Sequence, residues 1–145
     1  MAMPYQFLDD VATADIAFRA WGKDRETVFM AAGDAVINAM IDKLDAIALQ
    51  ETRELQLDND ALDLLLFNFL QELIYYKDSE LLLLRPQQVQ LQDQASHYHL
   101  TAVTQGEMLD PERHEQRVDV KAVTLHQFQL EPTPNGWRAM VILDI

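Results

Sequence analysis

Residues 62–78, with the sequence LDLLLFNFLQELIYYKD, form the most apolar part of the chain. Their leucines and aromatic residues recur at the spacing of a helix with a wide apolar face. Polar residues at Asn68, Gln71 and Glu72 interrupt the run, so it predicts an amphipathic helix rather than a membrane span. The acidic segment DNDALD before it is typical of a helix start. We therefore expect this helix to form the centre of the core.

The part of the chain that precedes this helix predicts a strand followed by a second helix. Residues 15–21, DIAFRAW, alternate between apolar and polar or larger side chains and stop at Gly22. Asp24 then has the position of an N-cap, and Glu26 lies in the first helical turn. From Val28 to Met40, apolar residues recur at helical spacing.

Strand patterns account for most of the remaining sequence. They are predicted at residues 51–58, 81–84, 89–92, 98–105, 118–129 and 137–143. The Pro, Asn and Gly of residues 133–136 predict a tight turn, which joins the last two strands in a hairpin. We find no linker or repeat. Residues 1–145 are therefore predicted to form a single α+β domain, with two helices packed on largely antiparallel sheet.

The charge of the chain limits its partners. Eleven Lys and Arg stand against 24 Asp and Glu, for a formal net charge of −13. This charge repels phosphate backbones, so we expect no direct high-affinity binding to nucleic acid. It favours either a soluble protein without a partner or a basic partner protein. The chain has no cysteine, no signal-peptide pattern and no membrane span, and we expect it to be cytoplasmic.

Asp15 and Asp144 are the acidic residues that their local sequence does not explain. Asp15 opens a strand, and Asp144 follows VIL in a strand that is apolar on both faces. Because a buried, unpaired carboxylate is costly, Asp144 requires an exposed frayed end, a Lys or Arg partner, or a metal ion. Lys121, in the apolar segment DVKAV, is a candidate for the basic partner.

Two further motifs leave alternatives open. His97 and His99 would share one face of a strand, either as two metal ligands or as part of a solvated surface. The segment DPERHE begins a turn at Asp110 and could be either an internally salt-bridged loop or a partner-binding loop. The chain has no Gly-rich phosphate loop and no nucleophile elbow.

Several segments together resemble one family, the archeases. They are TADIAFRAWG, LLFNFLQELIYYKDSE, GEMLDPERHE, VDVKAVTLH and the closing VILDI, in that order and over essentially the whole chain. The resemblance implies an accessory protein of the RtcB-type RNA ligase, which joins RNA ends in tRNA splicing and RNA repair. Such proteins promote guanylylation of the ligase histidine and multiple turnover, and we expect no catalytic activity of the chain's own.

The resemblance also implies a divalent-metal site. Its ligands would be Asp15, Asp144 and the terminal carboxylate of Ile145, a set of oxygens that suits Ca²⁺, Mg²⁺ or Mn²⁺. Lys121 and His126 match the family's lysine and histidine and are implied contacts for the nucleotide or the ligase. GTP would reach the chain only through the partner ligase.

The chain departs from the family pattern at two positions. Ala12 replaces a histidine, for which Asp9 or Asp10 could substitute, and Leu125 replaces an aromatic residue. Regular alternation would also place Lys121 and His126 on opposite faces of their strand, so both can serve one site only if a bulge intervenes.

Two other functions remain open at this point. One is a metal-dependent hydrolase or phosphoesterase that uses a cation on Asp15 and Asp144 to activate water. No convincing general acid or base accompanies the aspartates, which counts against it. The other is an interaction domain with no metal, in which the two carboxylates are solvated.

Overall fold

The strands form two antiparallel sheets in the computed structural model, which describes residues 4–8 and 15–145. One sheet has the order β1-β2-β7-β6, and the other has the order β3-β5-β4. The elements are β1 (Tyr5–Leu8), β2 (Asp15–Gly22), α1 (Arg25–Met40), a 3-10 turn (Leu44–Ala46), β3 (Glu51–Asn59), α2 (Leu62–Glu80), β4 (Leu82–Gln94), β5 (His97–Met108), β6 (Ala122–Thr133) and β7 (Gly136–Asp144). The predicted α+β class with two helices on antiparallel sheet is confirmed.

Both helices join the two sheets into one core. Helix α1 packs against β2 of the first sheet and β4 of the second, and α2 packs against β6 and β4. Phe29 of α1 stacks on Phe69 of α2, with ring centroids 6.1 Å apart. The side chain of Asp24 accepts a 2.8 Å hydrogen bond from the backbone N–H of Thr27, as the predicted N-cap requires. The central position predicted for α2 is confirmed by its fully buried face, which includes Leu66 and Leu70.

Three strand predictions differ from the structure. The strands predicted at 81–84 and 89–92 are one strand, β4, which passes Pro86 by a shift in pairing register between Pro86 and Gln88. The strand predicted at 118–129 begins at Ala122, because the preceding segment binds to α2 instead. Strand β1 was not predicted. It is only four residues long and lies at the edge of its sheet, so its periodicity is weak.

The predicted hairpin joins β6 to β7 and determines the position of the last strand. Thr133 pairs with Gly136 across the turn. Gly136 has φ +149, and a Cβ there would lie 2.1 Å from the carbonyl oxygen of Gly22, so the turn requires glycine. Strand β7 thereby enters the interior of the sheet between β6 and β2. No helix in residues 4–8 and 15–145 is long and apolar enough to cross a membrane.

Candidate functional site

Asp15 and Asp144 lie directly opposite each other at one end of the four-stranded sheet. The first residue of β2 is paired with the last residue of β7 in the antiparallel register. Residues paired in this way have Cβ atoms about 4.5–5.5 Å apart and side chains on the same face. Asp15 is half-buried and Asp144 is exposed. Two carboxylates at this separation repel each other unless a cation lies between them.

The end of β7 is paired on both sides rather than frayed. Asp144 is opposite Asp15 of β2 and opposite Ala122 of β6. The backbone N–H of Lys121 also donates a 2.8 Å hydrogen bond to the carbonyl oxygen of Asp144. These bonds fix the backbone at the aspartate pair. The backbone at Asp144 is therefore not frayed, although the side chain of Asp144 is exposed, as that explanation expected.

Lys121 does not neutralise the pair. Its side chain is exposed, and among the described residues it forms no ion pair with Asp15, Asp144 or the terminal carboxylate of Ile145. The salt bridge considered for Asp144 is thus not formed in the structure. A bound cation and solvation of the exposed Asp144 carboxylate are the explanations that stay open.

His126 lies on a bulge of β6, the irregularity that Lys121 and His126 would need in order to serve one site. Regular pairing of β6 with β7 stops at Thr124, opposite Ile142, and resumes at Gln129, opposite Met140. Four residues of β6, 125–128, therefore lie opposite a single residue of β7, and they include Gln127, with φ 53. His126 is exposed there, about 10 Å along the sheet from Asp144 at the usual rise per residue. The structure therefore joins Asp15 to Asp144 but leaves His126 beside the pair rather than on it.

Arg117 borders the same site and was not predicted. With Phe7, Leu8, Asp15 and Ile16 it lines a pocket of about 190 Å³. Its guanidinium carbon lies 5.3 Å from the centre of the Phe7 ring. The two residues are 110 positions apart in the chain, so no local pattern indicates their contact. Ala12, Asp9 and Asp10 lie outside the described residues.

The DPERHE segment forms a closed, internally paired network around the buried carboxylate of Glu107. This carboxylate accepts hydrogen bonds from Arg113, from the backbone N–H of Ala48 at 2.7 Å and from His114 Nε2 at 2.9 Å. Nδ1 of His114 accepts a 2.9 Å hydrogen bond from the Asp110 N–H, so both ring nitrogens are occupied. These contacts, led by the one with Arg113, lower the pKa of Glu107 to about 2. Of the two alternatives for this segment, the structure shows the internally bridged loop.

His97 and His99 lie on one face of β5, as predicted. Oδ1 of Asp58 lies 2.9 Å from His97 Nε2 and 2.9 Å from His99 Nδ1, and Asp60 contacts the other nitrogen of His97 at 2.9 Å. The contacts with Asp60 and Asp58 raise the pKa of His97. Among residues 4–8 and 15–145, no three His, Asp or Glu side chains are placed to hold a metal ion. These histidines contact carboxylates and do not form a two-ligand metal site.

The fold and the site together define the class of protein: an α+β domain with two antiparallel sheets. Two aspartates lie opposite each other at one end of its central strand pair, β2 and β7. The chain matches the model of the Archease protein family (MTH1598/TM1083) over residues 5–145. It is 37% identical to the protein archease of Pyrococcus abyssi over 134 residues, which are 92% of this chain and 94% of that protein. It is 35% identical to the protein archease of Methanosarcina mazei over 142 residues, which are 97% and 95% of the two chains. The chain therefore belongs to the archease family.

Two solved structures have the same fold. The solution structure of Methanobacterium thermoautotrophicum protein 1598 superposes with a TM-score of 0.85 at 32% identity, over 99% of this chain and 100% of that one. A crystal structure of a Thermotoga maritima archease, described as a possible chaperone, gives a TM-score of 0.60 at 18% identity, over 92% and 93%. The second likeness concerns the fold alone.

Proposed function

We propose that the chain is a cytoplasmic accessory protein that activates an RtcB-type RNA ligase. It promotes guanylylation of the ligase histidine and multiple turnover through a divalent cation at Asp15 and Asp144. Family membership supports the partner. The observation that carries the proposal is the direct pairing of the two aspartates in the β2–β7 register. Two carboxylates held this close repel each other, and a divalent cation bound between them would remove the repulsion.

The donor set suits a hard cation. Asp15 and Asp144 would supply carboxylate oxygens from one face of the sheet, and the adjacent Ile145 would add its terminal carboxylate. A site made only of oxygen ligands favours Mg²⁺, Ca²⁺ or Mn²⁺ over softer metals. The bound cation would neutralise the pair and supply positive charge to phosphate oxygens at the ligase.

The surface around the pair supports docking on a basic ligase. Lys121, Leu125 and His126 are all exposed on the segment beside Asp144. The side chain of Leu125 is 61% exposed, unusual for a leucine in a folded domain. In our proposal, these residues contact the ligase or its bound nucleotide. GTP then reaches the chain only through the ligase. The net charge of −13 favours a basic partner protein and disfavours direct binding of RNA.

A hydrolase function has less support. Activation of water at Asp15 and Asp144 requires a neighbouring general base or acid. Both ring nitrogens of His114 are occupied, and His97 and His99 lie in the other sheet. His126 is displaced along the bulge. No described histidine therefore contacts the aspartate pair.

The test follows guanylylation of the cognate ligase with GTP and Mg²⁺ or Mn²⁺. Wild type is expected to accelerate the reaction. Asp15→Asn and Asp144→Asn should abolish the acceleration while remaining folded, and Glu112→Gln, an exposed carboxylate in the DPERHE turn, serves as the charge-matched control. Acceleration by Asp144→Asn equal to that of wild type would contradict the proposal. Hydrolysis of a model phosphodiester by the chain alone would instead favour the hydrolase.

A further inference from the structure

A pocket of about 250 Å³ lies between the end of helix α2 and residues 116–119, which precede β6. Neither Asp15 nor Asp144 lines it, so it is separate from the aspartate pair. Most of its lining is apolar and comes from Met40, Ile41, Leu81, Leu83, Leu109 and Val118. Three of these side chains belong to the hydrophobic core. The pocket therefore opens an apolar surface to solvent.

Leu81 lies at this pocket in a backbone conformation that does not suit leucine. It ends α2 with φ 54 and ψ 32, the left-handed region in which glycine is usual at a helix C-terminus. Its N–H donates to the carbonyl oxygen of Tyr76, and its own carbonyl oxygen accepts a 2.7 Å hydrogen bond from the N–H of Leu109. Core packing does not explain the leucine, because it is 49% exposed. A strained, exposed apolar residue that lines a pocket points to a partner at that pocket.

Two aspartates line the pocket, and a single lysine neutralises them. Nζ of Lys77 contacts Asp78, donates to Asp119 at 2.7 Å and donates to the carbonyl oxygen of Val120 at 2.9 Å. All three donors of the ammonium group are thereby used. Within residues 4–8 and 15–145, Lys77 is the one cation paired with either aspartate. Both carboxylates remain more than half exposed, so the pocket keeps a net negative charge beside its apolar wall.

The same combination of side chains continues into a second pocket of about 440 Å³, which shares Leu109 with the first. Met108, which is 60% exposed, lines it together with Glu51 and Asp110. Arg113 also lines it, but this arginine is already paired with Asp110 and with the carboxylate of residue 107. An extended segment that crosses both pockets therefore meets acidic groups on either side of the apolar surface.

We propose that the first pocket, lined by Leu81, is a docking site for a basic segment of a partner protein. The segment inserts one leucine side chain into the pocket and places a Lys or Arg beside Asp78 and Asp119. The pocket is smaller than the roughly 300–1,000 Å³ of small-molecule sites, so it suits a single side chain. A second copy of the chain and RNA are disfavoured, because a net charge of −13 repels both. The cation site of the proposed function uses none of these residues, so the two proposals can fail separately.

The test measures peptide binding in the absence of divalent cations. The full chain, labelled with ¹⁵N, is titrated in EDTA with the peptide KKALAKK, and binding is followed by the shifts of backbone amide resonances. We expect saturable shifts centred on Leu81, Leu109 and Asp119. The peptide KKAAAKK should bind about tenfold more weakly, because it lacks the leucine that becomes buried. Equal binding of the two peptides would overturn the proposal, and so would the absence of saturable shifts at these residues.

Leu81→Gly separates docking from stability. Glycine relieves the left-handed backbone, so this variant should melt at the wild-type temperature or above it. It should nevertheless weaken KKALAKK binding at least fivefold, since it removes the wall of the pocket. Leu64→Ala is the control at the other end of α2, about 25 Å away, where Leu64 is 38% exposed. It should leave the affinity within about twofold. Equal affinities of the two variants would overturn the proposal.

A second pair of variants tests the charge at the pocket. Asp119→Asn should weaken KKALAKK binding about threefold or more, while its amide oxygen still accepts from Lys77. Glu54→Gln, at an exposed position of β3, changes the net charge equally and should stay within about twofold of wild type. Equal weakening by both variants would show that the peptide responds to net charge alone, and would overturn the site. Concentration-dependent line broadening without peptide, lost in Leu81→Gly, would assign the pocket to a second copy of the chain instead.

Discussion

Two clusters of carboxylates in this protein differ in how their negative charges are paired. Around Glu107, the charges neutralise one another: Arg113 contacts both Glu107 and Asp110, and Glu107 is only 5% exposed. At Asp15 and Asp144, two carboxylates face each other across the strands, and neither forms an ion pair within residues 4–8 and 15–145. The first cluster is neutralised within the protein. For the second, we propose a cation from outside.

The difference has a local cause. The DPERHE turn carries its own arginine and histidine within seven residues of Glu107, so a short segment neutralises itself. The aspartates come from opposite ends of the chain and meet only because β7 is inserted beside β2. The carboxylates around Glu107 are thus paired by a short local segment, whereas Asp15 and Asp144 are brought together only by the order of the strands in the sheet. The following experiments test this contrast.

The largest effect is expected from Glu107→Gln. The carboxylate accepts from Arg113 at one oxygen and from His114 and the Ala48 N–H at the other. The amide has a single acceptor oxygen, so it cannot satisfy both sets of donors. We expect a loss of about 3 kcal/mol in the free energy of unfolding, measured in urea. Glu112→Gln, in the same turn but exposed, should cost less than about 0.5 kcal/mol. A loss below about 1 kcal/mol for Glu107→Gln would mean that the network is not structural.

The same network predicts a pH dependence. The pKa of Glu107 is lowered from 4.5 to about 2 in the folded protein, chiefly by Arg113. Its stabilising contribution is therefore complete above pH 4.5 and is lost as the pH falls from 4.5 towards 2. Urea unfolding across this range should show a steeper loss for wild type than for Glu107→Gln. Parallel curves would contradict the assignment.

A smaller effect is expected from Lys77→Met, which tests how the backbone beside the Asp15–Asp144 pair is held in place. Lys77 is buried, and its Nζ donates to Asp119 Oδ1 at 2.7 Å and to the carbonyl oxygen of Val120 at 2.9 Å. Burial lowers the pKa of Lys77, but Asp119 and Asp78 more than offset it, so the pKa is raised. The lysine thus ties α2 to the segment that leads to Lys121.

We expect Lys77→Met to cost about 2 kcal/mol of stability, because it removes hydrogen bonds made by a buried charge. It should also weaken divalent-cation affinity several-fold, since the Lys121–Asp144 backbone bond then lacks its support. Lys43→Met, at an exposed position, is the control for both urea unfolding and calorimetry. Unchanged cation affinity in Lys77→Met would show that the site does not depend on this tie.

The smallest effects are expected on the bulge of β6 and at the residue just before β6. His126→Ala and Lys121→Ala remove exposed side chains with no described ion pair, so each should change stability by less than about 0.5 kcal/mol. Cation affinity measured by calorimetry should stay within about threefold of wild type, while ligase activation falls. A tenfold loss of cation affinity in His126→Ala would instead place that ring on the metal.

The sequence predicted the helices, the hairpin and the antiparallel class, because these depend on periodicity and turn chemistry within short windows. It placed the start of β6 four residues too early, since the tie from Lys77 to Val120 joins residues 43 positions apart. Asp15 and Asp144 stood out as charges in apolar strands, and the structure pairs them. Arg117 left no such signal, because its position depends on Phe7 and Asn38, which are distant in the chain.

The most direct test of the proposed cation site at Asp15 and Asp144 is thermal unfolding of wild type and Asp144→Asn, each with EDTA and with Ca²⁺, Mg²⁺ or Mn²⁺. Without cation, Asp144→Asn should be at least as stable as wild type, because one of two repelling charges is gone. With free cation at about 100 times its dissociation constant, wild type alone should gain about 2.7 kcal/mol. A wild-type protein that melts at the same temperature with and without cations would contradict the account, and so would an Asp144→Asn variant that is less stable in EDTA.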